Sequence, residues 1–245
     1  MLTLCVTVIA IFLASFFSTV SGFGYALIAT PILSTVIDIK FAIMSVLVTT
    51  ILLRAITMWR VWGKFDWGTV LMTSLGSGLG TLPGSYALKF MTVQALEIFL
   101  GSVLLIATFL MSKQYILPVK NKSLGRFSAG VVSGFFGAST SVSGPPLVLY
   151  FLNEQQDKDT MRANMIWIFG LGGVFIMLGH LWAGNIAAIT DWNLLLPMLP
   201  AMFLGIYLGE KFFFRLNQHL FKRMSIIIVC CGAVSMLVSG IKGLL

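Results

Sequence analysis

Two short polar stretches hold most of the side chains in this sequence that offer binding chemistry. The first contains Ser18, Thr19, Ser21, Gly22, Phe23 and Gly24, in STVSGFG. The second contains Ser139, Thr140, Ser141, Ser143, Gly144 and Pro145, in GFFGASTSVSGPP at 134–146. Each interrupts strongly apolar sequence. Hydroxyls supply hydrogen bonds without fixed charge, and glycine lets a backbone come close to a ligand. Neither stretch holds Asp or Glu, which a cation site usually needs unless carbonyls crowd it. A helix restarting after such a break presents unpaired N–H groups and the positive end of its dipole. Pro145 and Pro146 suit the first turn of that helix. The chemistry on offer is the binding of a small anion. The plainer alternative is that these serines and glycines only pack helices, as they often do in membrane bundles.

Other candidates are few. Arg54, within LVTTILLRAITMW, is read in two ways: positive charge for an anion pathway, or a side chain snorkelling to the interface near Arg60. His180, in MLGHLWAG, is either a proton carrier for coupling or an interfacial residue at a helix end. Asn164 is expected to face the same cavity. Ser143 with a distant His180 superficially resembles the dyad of an intramembrane serine protease. A nucleophilic serine needs its base within reach and an oxyanion hole, and proteolysis does not account for a second polar break. A GxxxxGK[ST] motif is absent, which argues against a primary pump in this chain. The chain is read as a non-enzyme without metal or cofactor. Cys5, Cys230 and Cys231 lie in apolar segments and are expected as small core residues.

The elements that position these residues follow from composition. Only 10% of 245 residues are charged, 58% are hydrophobic, and mean hydropathy is +0.98. A soluble domain carries about a quarter charged residues, so this is a multi-pass membrane protein in a lipid bilayer. The net charge of +8 is then a matter of orientation and no sign of nucleic acid. The apolar N-terminal segment lacks a basic start and is expected to be retained.

Eight apolar blocks are expected, at about 2–36, 41–60, 67–88, 93–112, 125–152, 163–182, 192–210 and 220–241. Blocks one and five are interrupted by the two polar stretches, which gives eight to ten helical segments in an all-α fold. The halves repeat. With Gly22 set on Gly144, Lys40 falls on Arg162, Asp66-Trp67 on Asp191-Trp192, and Gly80 and Gly84 on Gly205 and Gly209. The expected organisation is one transmembrane domain: a first repeat at 1–112, a basic cytoplasmic connection at 113–124, and a second repeat at 125–245.

Charge counting distinguishes two topologies. If every block crosses once, the cations divide almost evenly between the faces. If blocks one and five are hairpins that return to their own side, one face collects Arg60, Lys64, Lys113, Lys120, Lys122, Arg126, Lys158, Arg162, Lys211, Arg215, Lys222 and Arg223. The other keeps Lys40, Lys89 and Lys242. The positive-inside rule selects the hairpins. Both termini then face outside, each repeat crosses three times, and the repeats are inverted, with the breaks near the midplane. Paired breaks in two such halves are the usual sequence pointer to a transporter's binding site.

SGFGYALIATPIL in the first half and GVVSGFFGASTSVSGPPLVLYFL in the second resemble the signature segments of the sulfite exporter TauE/SafE family, and the resemblance covers nearly the whole chain. It implies a secondary transporter of a bacterial or archaeal cytoplasmic membrane for sulfite or small organosulfur anions such as sulfoacetate. Family members often carry a Gly-Gly pair in each break, where this chain has Gly24-Tyr25 and Ser143-Gly144. An alternating-access carrier is expected. An anion channel, or a permease for a non-sulfur anion, uses the same helix ends and stays open, as does a homodimer.

Overall fold

The computed structural model describes residues 2–33, 36–37, 39–90, 92–112, 119, 121–140, 143–182 and 192–243. Among these, the chain forms ten helices and no strand: α1 (Leu2–Ser21), α2 (Tyr25–Leu33), α3 (Ile39–Arg60), α4 (Trp67–Phe90), α5 (Val93–Ser112), α6 (Lys122–Thr140), α7 (Gly144–Asn153), α8 (Lys158–Trp182), α9 (Trp192–Phe213) and α10 (Gln218–Lys242). Blocks one and five are each split at the expected stretch, into a long helix and a short one. Among the described residues, three helices are long and apolar enough to cross a bilayer by length and composition: Thr3–Ser21, Leu194–Phe213 and Gln218–Lys242. Large apolar side chains stay exposed along α4 at Leu71, Leu75, Leu79 and Leu82, and along α9 at Leu196, Phe203 and Leu204. Such stripes suit lipid and are a liability in water.

The helices gather into two compact units, each drawing on both halves of the sequence. One comprises residues 1–64 and 165–216. Its core is Ala10, Ile11 and Ala14 of α1, Tyr25, Ala29 and Leu33 of α2, Val46 and Leu53 of α3, and Leu195, Met198, Met202 and Ile206 of α9. Here α1 runs along α9. A Cβ on Gly205 would press on the Phe12 carbonyl and the Ser15 side chain, and one on Gly209 on the Phe16 carbonyl and Thr19.

The other unit comprises 65–164 and 217–245. In it α4 runs along α6, and α5 along α10. A Cβ at Gly76, Gly80 or Gly84 would overlap the carbonyl of Phe127, Val131 or Phe135 on α6. Reciprocally, Gly130 and Gly134 lie against the Thr73 and Ser77 carbonyls of α4. The glycine pairs that align in the sequence thus play one role in each unit, letting backbones touch where the membrane supplies no hydrophobic drive.

Turn chemistry fixes the helix starts. Asp66 caps α4, accepting from the Gly68 and Thr69 N–H groups at 3.2 and 3.0 Å. Asp157 caps α8 through Asp159 and Thr160, and Asn217 caps α10 through Leu220. The cysteines depart from expectation. Cys5 and Cys231 are exposed and Cys230 is half-buried, so they sit on outward helix faces and not in the core.

Candidate functional site

The first break is built on buried hydroxyls. Ser15, Ser18, Thr19 and Ser21 are all buried on the last turns of α1. Ser21 Oγ donates to the Phe17 carbonyl at 2.7 Å and accepts from the Phe23 N–H at 3.3 Å, which folds the chain back across the break. Gly22 donates to the Ser18 carbonyl at 2.8 Å. Gly22 and Gly24 have φ of 83° and 86°, a conformation that a side chain makes costly, so two glycines bracket the buried Phe23. Gly24 accepts from the Ile28 N–H at 3.2 Å. The N–H groups of Tyr25, Ala26 and Leu27 therefore open α2 with no carbonyl of that helix behind them.

Arg54 joins this break. Its side chain is only 2% exposed, and Nη2 donates to Ser18 Oγ at 2.9 Å. The guanidinium carbon lies 5.7 Å from the Phe169 ring centroid. Arg54 is therefore buried against the break. Tyr25 was not among the sequence candidates, yet its buried hydroxyl lies beside those of Thr49 and Ser15 and in electrostatic range of Arg54. Thr49 and Ser15 already donate to the Ser45 and Ile11 carbonyls, at 2.7 and 2.6 Å. Among the described residues of this unit, the only carboxylate is Glu210, which is bonded to Arg60 at 2.9 Å. The pattern is a guanidinium among neutral hydroxyls, which suits an oxyanion.

The helix that precedes this break is long. At twenty residues, α1 spans about 30 Å and is a membrane-crossing candidate by itself. Thr19 packs on Gly209, next to the Glu210–Arg60 pair.

The second break leads into α7 at Ser143, with prolines in the first turn as expected. The Ser143 carbonyl accepts from Ser133 Oγ at 2.7 Å, and a Cβ on Gly137 would press on the Ser143 side chain. Ser133 was missed from the sequence. The available signal was its spacing, which puts it one turn from Gly137 on α6. Pro145 is buried and Gly144 half-buried. The side chains of Ser139, Thr140 and His180, and all of Ser141, lie outside the described residues. Asn164 is buried, and its amide spans two connections. Oδ1 accepts from the Asp66 N–H at 2.8 Å, and Nδ2 donates to Gln156 at 3.3 Å.

Those connections carry most of the polar network of their unit. Arg126, near the start of α6, pairs with Glu154 just after α7, at 3.2 Å, and with Asp66 at 3.4 Å. Tyr150 donates to the Lys122 carbonyl at 3.2 Å, and Gln218 to the Gln156 carbonyl at 3.0 Å. The two ends of block five thus meet, so α6 and α7 form a hairpin. Hydrogen bonds and ion pairs thus join the connections around Asp66, Arg126, Glu154, Gln156 and Gln218. The Thr69 hydroxyl, aided by the Thr69 and Gly68 N–H groups and Arg126, holds the Asp66 carboxyl below its ordinary range.

Comparison with known proteins gives the family of the chain. The chain is 24% identical over 205 residues to a probable sulfite/organosulfonate exporter TauE of Cupriavidus necator, covering 81% of this chain and 79% of that protein. No solved structure matches. The family described as sulfite exporter TauE/SafE matches residues 7–236, a span that takes in both breaks, Arg54 and both glycine pairs. A helical membrane protein broken twice at hydroxyl-rich stretches, and matched over residues 7–236, belongs to the sulfite exporter TauE/SafE family of transporters.

Proposed function

We propose that this chain is a secondary transporter that moves a small sulfur oxyanion, sulfite or an organosulfonate, across the cytoplasmic membrane by alternating access. The observation that carries this reading is the buried Arg54–Ser18 hydrogen bond at the first break. A guanidinium offers a planar set of donors that matches a trigonal or tetrahedral oxyanion, and burial strengthens each contact. Ser18 holds the guanidinium in place. The opening N–H groups of α2 and the Ser21 and Tyr25 hydroxyls belong to the same break and are the further donors in this reading. The second break, with Ser139, Thr140, Ser141, Ser143, Gly144 and Pro145, is the counterpart in the other half.

The same reading includes inverted repeats at 1–112 and 125–245 with both termini outside. The family, the two polar breaks and the pairing of connections along a basic face support it. The test is sulfite flux in proteoliposomes of the full chain, followed against external concentration. Saturable flux, lost in Arg54→Gln, is expected of a carrier. Flux that rises linearly without saturation favours a channel, and no sulfite or sulfonate flux alongside another anion's would move the substrate outside the sulfur oxyanions.

A further inference from the structure

One surface groove plays no part in that reading. Phe16 of α1 and Leu208, Lys211, Phe212 and Arg215 at the end of α9 line a cavity of about 390 Å³. Its floor is aromatic: the Phe16 and Phe212 rings lie 5.6 Å apart. Leu208 and Phe212 are 38% and 40% exposed, so the apolar wall faces outward, where lipid would be. The rim is cationic. Lys211 Nζ lies 4.4 Å above the Tyr207 ring, and among the described residues neither Lys211 nor Arg215 forms a salt bridge. The neighbouring carboxylate, Glu210, is taken by Arg60. An apolar slot with two exposed cations on its rim matches one kind of occupant, because a phospholipid carries an anionic phosphate beside apolar acyl chains.

The geometry points to a site for a single anionic phospholipid, with its phosphate on Lys211 and Arg215 and a chain along Leu208, Phe212 and Phe16. This goes beyond the transport reading and does not depend on it. Helix α1 also carries the first break, so an occupant here would brace the α1–α9 packing from the lipid side.

The test is the melting temperature of the detergent-purified full chain, titrated with phosphatidylglycerol, phosphatidylcholine or inorganic phosphate. Phosphatidylglycerol is expected to raise it saturably, at a concentration about tenfold below that at which phosphatidylcholine acts. K211Q/R215Q should abolish that preference, while K222Q/R223Q, the same charge change away from the groove, should keep it. Leu208→Trp, which fills the slot and leaves the charges, should also abolish it. Loss of the preference in K222Q/R223Q would overturn the proposal in favour of diffuse surface charge. Retention in K211Q/R215Q would overturn it outright. An equal rise with inorganic phosphate would mean a free-anion site and no lipid.

Discussion

Arg54 donates from Nη2 to Ser18 Oγ across 2.9 Å, which ties the middle of α3 to the last turn of α1 before its break. Neither residue type is unusual in a membrane bundle. Their burial together makes the pair informative, because an arginine in such surroundings is costly unless it has a task. Arg54→Gln should lower sulfite flux about tenfold to a hundredfold, the range expected for losing hydrogen bonds to a charged group. Arg54→Lys should recover part of it, since it keeps the charge and loses the planar fork. Ser18→Ala should cost less than either. Initial efflux rates from loaded proteoliposomes decide the order, and normal flux in Arg54→Gln would remove this residue from the site.

The left-handed glycines give a prediction about stability. A Cβ at Gly22, with φ of 83°, costs about 1–2 kcal/mol. Gly22→Ala should therefore lower the melting temperature by about 2–8 °C for a chain of this size. Gly172→Ala, on α8 and facing open space, should leave it unchanged. A differential melt of the two variants in one detergent checks the contrast.

Helix packing gives a sharper pair. Gly80 touches the Val131 backbone, whereas a Cβ on Gly78, two residues away, meets nothing within 4 Å. Gly80→Ala must push α4 off α6, so a large loss of monodisperse protein in size-exclusion chromatography is expected. Gly78→Ala should elute as wild type. Equal behaviour of the two would mean that the close approach of these helices is unimportant.

Asp66 gives a prediction in pH. Its folded carboxyl is held below its ordinary range, first by the Thr69 hydroxyl. The resulting stability is fully present above the unfolded value of about 3.9 and is lost as pH falls through the folded value. Asp66→Asn keeps a good helix cap and removes the charge. It should melt about 1–3 °C lower than wild type at pH 7, a small effect because the side chain is 51% exposed. The gap should narrow as pH falls from 5 toward 3. A gap independent of pH would assign the difference to cap geometry.

The sequence indicated eight to ten helical segments, since hydroxyls, glycines and prolines punctuate apolar runs for local reasons. The glycine pairs were readable too, because spacing on one helix face is local. Partnership was not readable. Nothing about α1 says that Gly205 and Gly209 will sit on it, or that Asn164 will reach for the Asp66 N–H. The contact between Arg54 and Ser18 spans 36 positions and depends on how α3 lies against α1. Tyr25 entered the sequence reading only as the residue standing where the family often has a second glycine, and the fold shows its hydroxyl as a buried polar neighbour of Thr49.

The exchange of partners between the halves also has a consequence for biosynthesis. Helix α1 leaves the ribosome before its companion α9, which begins at Trp192. At about 5–20 residues per second, roughly 10–40 s pass before that companion exists. During that interval the faces of Ser15 and Thr19 have no glycine to receive them. The nascent first half therefore waits in the bilayer with polar groups facing lipid or an insertase, and a stalled ribosome anywhere before α9 leaves a product that cannot complete either unit.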